Sequence, residues 1–215
     1  MIEMDFTASL VATAGGGILT EDETLLKCST VAFEMLSCRG YTTINPPPYH
    51  VSIIKSKMSS LTPLFTGTSS SRQRPDTHVY FTSELKIGVK LVREIMECHE
   101  NDNHRIVLVS TQGCTSSKPM NQMTNVEFVT YKQISNNIMK HVLVPEHIYI
   151  DSDSATTIFK SYTSTKEKFP VLLSTDPVAL FCDFRIGDLI QIKKNSMGGN
   201  VTAGISYRVV TPSNV

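Results

Sequence analysis

The chain has 215 residues, in which 20 Lys and Arg balance 20 Asp and Glu. A formal charge of zero excludes the global basic field of a general nucleic-acid binder, so any nucleic-acid contact is expected to be local. Cysteines at 28, 38, 98, 114 and 182 form no Cys-x-x-Cys pair and are odd in number, which argues against a zinc site or a disulfide framework and for reduced thiols.

Residues 1–19, with Gly15-Gly16-Gly17, carry small side chains and are expected to form a flexible leader; no Lys-Ser/Thr follows the glycines, so they do not make a phosphate loop. Glu3, Asp5, Glu21, Asp22 and Glu23 precede the first basic residue, Lys27, which does not fit a transit peptide. No apolar run is long enough to span a bilayer, and a soluble, intracellular protein is expected.

Thr20-Glu21-Asp22-Glu23 reads as a capping box opening a helix with an apolar face of Leu25, Leu26, Ala32, Met35 and Leu36, ending at Gly40. Arg39 is expected to complement the helix C-terminus rather than to touch DNA. Pro46-Pro47-Pro48 breaks the chain before an extended segment, Tyr49 to Ile54. Residues 55–77 are rich in Ser, Thr and Pro and hold Lys55, Lys57, Arg72 and Arg74. They read as a surface loop, either simply solvated or following a nucleic-acid backbone.

His78 to Phe81 reads as a strand, Ile87 to Cys98 as an amphipathic helix presenting Val89, Val92, Ile95 and Met96, and Arg105 to Ser110 as a buried strand. A turn at Gln112 to Ser117, a short helix and the strand Val126 to Thr130 follow. This alternation predicts an α/β domain, a sheet partly covered by helices, over residues 20–133.

Residues 134–140 link to a smaller α+β domain, 134–215. Val142-Leu143-Val144 is apolar, and Pro145 opens an extended stretch with His147 to Ile150. Ser154 is expected to cap a helix, Ala155 to Tyr162, that turns Ile158, Phe159 and Tyr162 inward. Asp176 can cap a short helix with Pro177 at its first position, running to Cys182. Gly187 permits a tight turn, and Leu189, Ile190, Ile192, Val209 and Val210 supply two strands. So small a unit has no room for a catalytic cleft and reads as a docking module.

The strongest catalytic pattern is Pro75-Asp76 followed by Glu84-Leu85-Lys86. In nucleases of the restriction-enzyme fold such a pattern puts two carboxylates on a divalent metal and a lysine near the attacking water, which makes a metal-dependent nuclease the alternative reading. Cys98 and His99 are neighbours on a helix and point apart, and no glycine-rich dinucleotide fingerprint occurs. No cofactor and no metal site are expected.

Several pieces in fixed order resemble a known family. Asn137-Ile138, His141, Leu143 to His147, Asp176 to Ala179, Gly187 and Tyr207-Arg208-Val209-Val210 resemble the C-terminal assembly domain of the fifth common subunit of eukaryotic nuclear RNA polymerases, a domain that archaeal polymerases carry as well. In the first half, Cys38-Arg39-Gly40-Tyr41, Lys86-Ile87-Gly88-Val89-Lys90 and the turn Gln112 to Ser117 are similar to segments of the same family.

The resemblance implies an N-terminal jaw domain near downstream duplex DNA and an assembly domain docked on the largest polymerase subunit. The protein would be a non-catalytic subunit with its own active site absent, working in the nucleus and contacting other subunits and transcription factors. The implied docking residues are Pro145, Glu146, His147, Asp176, Pro177, Val178, Gly187, Tyr207 and Arg208. Of these, His147 and Arg208 are favoured because a buried polar tip needs a partner. The implied DNA-proximal residues are Gly113, Thr115, Ser116 and Ser117, offering hydroxyl or N–H donors to phosphate.

The chain departs from the family pattern at several points. Asp183 stands where the family has Gly, Ile186 where it has a second basic residue, and Ser116 where it has Pro. Lys194-Asn195-Ser196-Met197 replaces an Arg-Pro-Ser-Glu hairpin, within a longer loop reaching Gly204. Such departures suit a divergent paralogue serving one specialised polymerase, or a viral version whose location would be the viral factory or virion.

Overall fold

The computed structural model describes residues 20–43, 47, 50–69, 74–99, 104–115, 123, 125–162, 165–194 and 204–213. The leader at 1–19, Arg72, the short helix expected after Ser117 and most of the loop before Gly204 lie outside them. The chain divides into two compact units, residues 1–136 and 137–215, both mixed α/β.

In the first unit, α1 (Glu21–Cys38) begins on the expected capping box: the Thr20 hydroxyl accepts from Glu23 N–H while the Glu23 carboxylate accepts from Thr20 N–H at 2.8 Å. Gly40, at φ 82°, turns the chain into β1 (Tyr41–Thr43). Residues 51–54, expected to be extended, are helical; Tyr49 lies outside the described residues. Residues 51–54 open α2 (Val51–Ser59), which buries Ile54 completely. The β-branched Val51, Ile53 and Ile54 argue locally for a strand, and packing against α1 overrides that preference.

Nor are the described residues of 55–77 simply a loop. They hold the end of α2 and β2 (Phe65–Ser69), and lead into β3 (Thr77–Phe81). The described basic residues are engaged by the fold. Lys55 pairs with Asp22 at 2.7 Å, Lys57 donates to the carbonyls of Pro63 and Leu64, and Arg74 is buried.

The sheet runs β1-β2-β3-β4-β5, with β4 (Arg105–Ser110) and β5 (Val126–Thr130) parallel to β3, and β1, β2 and β3 antiparallel in turn. Helix α3 (Val89–Glu97) joins β3 to β4 and packs Leu91, Val92 and Ile95 against Tyr80, Ile106, Leu108 and Val126. The opposite face carries Val79, Val107 and Glu127 in register, and α1 covers it, with the Phe33 and Phe65 rings 5.8 Å apart. Covered on both sides, β3 is buried along its whole length.

Arg39 is a buried strut, not a surface cation. It is 2% exposed and grips Glu127 with two bonds of 2.7 and 2.8 Å, while Arg105 holds the same carboxylate at 2.8 Å. The bidentate fork ties the end of α1 to β5 and β4, and leaves Arg39 unable to reach DNA. Removing the carboxylate takes their shared anion from two guanidinium groups, one of them almost wholly desolvated. Glu127→Ala should therefore destabilise the first unit by about 2–3 kcal/mol, less than a fully buried pair because Glu127 keeps some solvent. Urea unfolding followed by fluorescence or circular dichroism reads this out.

In the second unit the sheet order is β6-β8-β9-β7, from β6 (Glu146–Ile150), β7 (Val171–Leu173), β8 (Leu189–Lys193) and β9 (Ile205–Thr211). Two more strands join than the apolar runs predict. Helix α4 (Ser152–Ser161) is capped by Asp151, whose carboxylate accepts from Asp153 and Ser154 N–H; Ser154 lies inside the helix. It covers one sheet face through Ala155, Ile158 and Phe159 against Leu189, Val209 and Phe169. Tyr162 is not turned inward but stays 59% exposed, its ring at the rim of Phe169 and Tyr207. On the opposite face Leu172, Ile190, Ile192 and Val210 are buried, and α5 (Pro177–Cys182) buries Val178, Ala179, Phe181 and Cys182.

Candidate docking face

The residues implied as docking contacts are set by the second unit's short elements. The Asp176 carboxylate accepts from Val178 N–H at 2.8 Å and its carbonyl from Leu180 N–H at 2.9 Å, with Pro177 at the first helical position. Asp176 thus shapes the fold. Val178 is 7% exposed and faces the core, so it is not open to a partner as expected; Pro177 is exposed.

Helix α5 stops on a Schellman turn. Phe184 N–H returns to the Ala179 carbonyl at 2.9 Å and Asp183 N–H to Leu180 at 3.3 Å. The left-handed residue this turn requires is Asp183, at φ 53° and ψ 48°, the position where the family pattern has Gly. A carboxylate-bearing residue tolerates that conformation better than most, at a modest cost. Gly187, at φ 96°, sits in backbone space that L side chains rarely adopt, and its N–H donates to the Val210 carbonyl at 2.8 Å.

Pro145 and His147 are half-buried, and the imidazole Nδ1–H of His147 donates to the Pro145 carbonyl at 2.8 Å. That bond fixes the orientation of the ring. Glu146 is exposed and faces Lys193 across the β6–β8 ladder at 3.6 Å. Arg208 is exposed rather than buried, and its Nη1 donates to the Val171 carbonyl at 3.1 Å.

These side chains do not form one patch. Strand residues alternate between faces, so the pairings Tyr149–Ile190–Arg208 and His147–Ile192–Ser206 place Arg208 and His147 on one face. Glu146, Lys193 and Tyr207 belong to the other.

Surface apolar groups mark this unit more strongly. Of ten large apolar side chains exposed among the described residues, Ile53 and Leu85 lie in the first unit; Val142, Leu143, Tyr162, Val171, Leu173, Leu180, Ile186 and Ile205 lie in the second. Most of these were missed from sequence, although Val171 and Leu173 flank the buried Leu172 in alternation, which makes β7 apolar on both faces.

In the first unit the turn after β4 is tightly self-bonded. Gly113, at φ 78°, gives its N–H to the Ser110 hydroxyl at 2.9 Å, and Thr115 directs both its N–H and its hydroxyl to the Ile87 carbonyl. Their donors are spent within the fold. Ser116 and Ser117 lie outside the described residues.

The nuclease constellation does not assemble. Asp76 precedes β3 and accepts from Ser69 N–H, whereas Glu84 and Lys86 are exposed beyond the other end of that strand, about 16 Å long at the usual rise. Among the described residues no three His, Cys, Asp or Glu side chains converge as a metal site, and no helix is long and apolar enough to cross a membrane. All five cysteines are free thiols. Burial pushes Cys28 up to about 12, which keeps it protonated and unreactive.

Comparison with known proteins points the same way. Residues 136–210 match the family described as RNA polymerase Rpb5, C-terminal domain. The "DNA-directed RNA polymerases I, II, and III subunit RPABC1" of Caenorhabditis elegans is 29% identical over 140 residues, covering 61% of this chain and 64% of that protein. The "DNA-directed RNA polymerase subunit Rpo5" of Methanosphaera stadtmanae is 36% identical over 76 residues, 34% of this chain but 94% of that protein. The "DNA-directed RNA polymerase subunit 5-like protein 1" of Arabidopsis thaliana is 23% identical over 125 residues, 55% of this chain and 60% of that protein. The chain therefore spans just under two thirds of the length of its nematode relative.

Two substitutions probe the local geometry. Asp183→Gly should stabilise the second unit by about 0.5–1 kcal/mol by relieving a left-handed non-glycine residue. Gly187→Ala should destabilise it by about 1–3 kcal/mol. Thermal melts of the three proteins check both signs.

Proposed function

Because the chain belongs to the RNA polymerase Rpb5 family, we propose that it is a non-catalytic structural subunit of a multisubunit DNA-directed RNA polymerase, docking through its second unit on the largest subunit. The observation that carries this reading is the concentration of exposed apolar side chains, among the described residues, in residues 137–215. A contiguous apolar patch left uncovered marks a contact site, and Val171 and Leu173 stand side by side along β7. The archaeal relative, nearly all of it aligned with this chain over 76 residues, is by its name itself a polymerase subunit, which supports placing attachment here.

The first unit would act as the jaw beside downstream duplex DNA and as a platform for other subunits and transcription factors. With the donors of Gly113 and Thr115 engaged internally, Ser116 and Ser117 are the residues of that turn left to meet phosphate, a contact that positions DNA without reading sequence. The protein would work in the nucleus, or in a viral factory or virion if the polymerase is viral. Differences such as Asp183 and Ile186 favour service to one specialised enzyme.

Affinity purification of the tagged chain followed by quantitative mass spectrometry should recover the largest polymerase subunit in equal molar amount; recovery of the chain by itself, or with only traces of polymerase, would refute the proposal. The purified chain with magnesium should leave duplex DNA uncut, and Glu84→Ala should change nothing.

A further inference from the structure

Strand β7 forms one edge of the second sheet, yet it is closed to a further strand. The Val171 carbonyl is taken by the Arg208 guanidinium, and the Leu173 carbonyl accepts from Asp176 N–H at 3.0 Å. A partner adding itself by a backbone ladder would find both acceptors occupied.

What the edge does present is side chains. Val171 and Leu173, each 47% exposed, line a groove of about 420 Å³ with Thr211, Pro212 and Ser213. Arg208 leaves the neighbouring strand on the opposite face from Val171 and Leu173 and reaches round to the Val171 carbonyl, so its charge stands at the strand edge across from the groove, where the next residue of an extended segment would point. It has no carboxylate partner among the described residues. One bond to a backbone carbonyl holds the guanidinium in place while most of its five donors stay available.

We infer that this groove takes an extended segment of another polymerase subunit, one that seats a bulky apolar side chain between Val171 and Leu173 and gives a neighbouring carboxylate to Arg208. The inference rests on the subunit reading above and adds the place and the chemistry of the contact. The groove is too shallow and too apolar for a lone anion, and one arginine beside aliphatic side chains is poorly matched to a phosphate backbone, whereas an apolar residue next to Asp or Glu satisfies both halves at once. Fixing Arg208 beforehand lowers the ordering cost of the ion pair.

The test places a photo-crosslinking phenylalanine analogue at Leu173 of the full tagged chain in cells, purifies the polymerase and maps the crosslinked peptide by mass spectrometry. A crosslink to a polymerase-subunit segment with Asp or Glu within three residues of the attachment point is expected. Adding Arg208→Ala should lower its yield at least fivefold without altering the melting temperature of the free chain. Four results would overturn the groove assignment while leaving the subunit reading intact: an incorporated chain with no crosslink, a crosslink to an acid-free segment, a yield indifferent to Arg208, or a crosslink to nucleic acid or a second copy. A chain not incorporated into polymerase at all would overturn both.

Discussion

Surface-to-volume geometry constrains the C-terminal unit. A unit spanning residues 137–215 must build four strands and two helices, and a chain of that size leaves a large share of its apolar surface in water. It spends its apolar residues on two thin cores, one under α4 and one on the opposite face of the sheet, and Val142, Leu143, Leu173, Ile186 and Ile205 remain outside. The first unit, covered on both sheet faces by α1 and α3, meets the constraint differently and exposes few such groups among its described residues.

The same sheet geometry decides which polar groups can cooperate. Tyr207 and Arg208 are neighbours in sequence and opposites in space, because a strand sends successive side chains to opposite faces. A surface drawn from a string of matching residues therefore splits into two: Tyr207 shares its face with Val171 and Leu173, while Arg208 leaves from the other face and meets β7 only at the Val171 carbonyl. Asp176, Val178 and Gly187 sit within the matching string because the backbone needs a cap, a core residue and a positive φ.

Where local chemistry alone determines an element, the sequence revealed it. The capping box at Thr20, the amphipathic face of α3, the Asp176-Pro177 start and the Gly187 turn all have local causes, and each is found in the structure. Long-range causes were not legible. The β-branched start of α2 suggested a strand until packing on α1 made it helical, and the polar sequence of β2 read as a loop because its strand is stabilised by β1 and β3. Arg39 looked like a helix-end charge because its partner, Glu127, lies 88 positions away. The split of the matching residues between two sheet faces was hidden for the same reason: strand alternation is visible only once the pairing register is known.

The central claim is that residues 137–215 present the surface by which this chain is held by a larger assembly. Covalent footprinting of aliphatic side chains, compared between the free chain and the purified complex, tests it most directly. Labelling at Val142, Leu143, Leu173, Ile186 and Ile205 should fall several-fold as a group on assembly, while Ile53 and Leu85 change far less; equal labelling of the second unit in both states would contradict it.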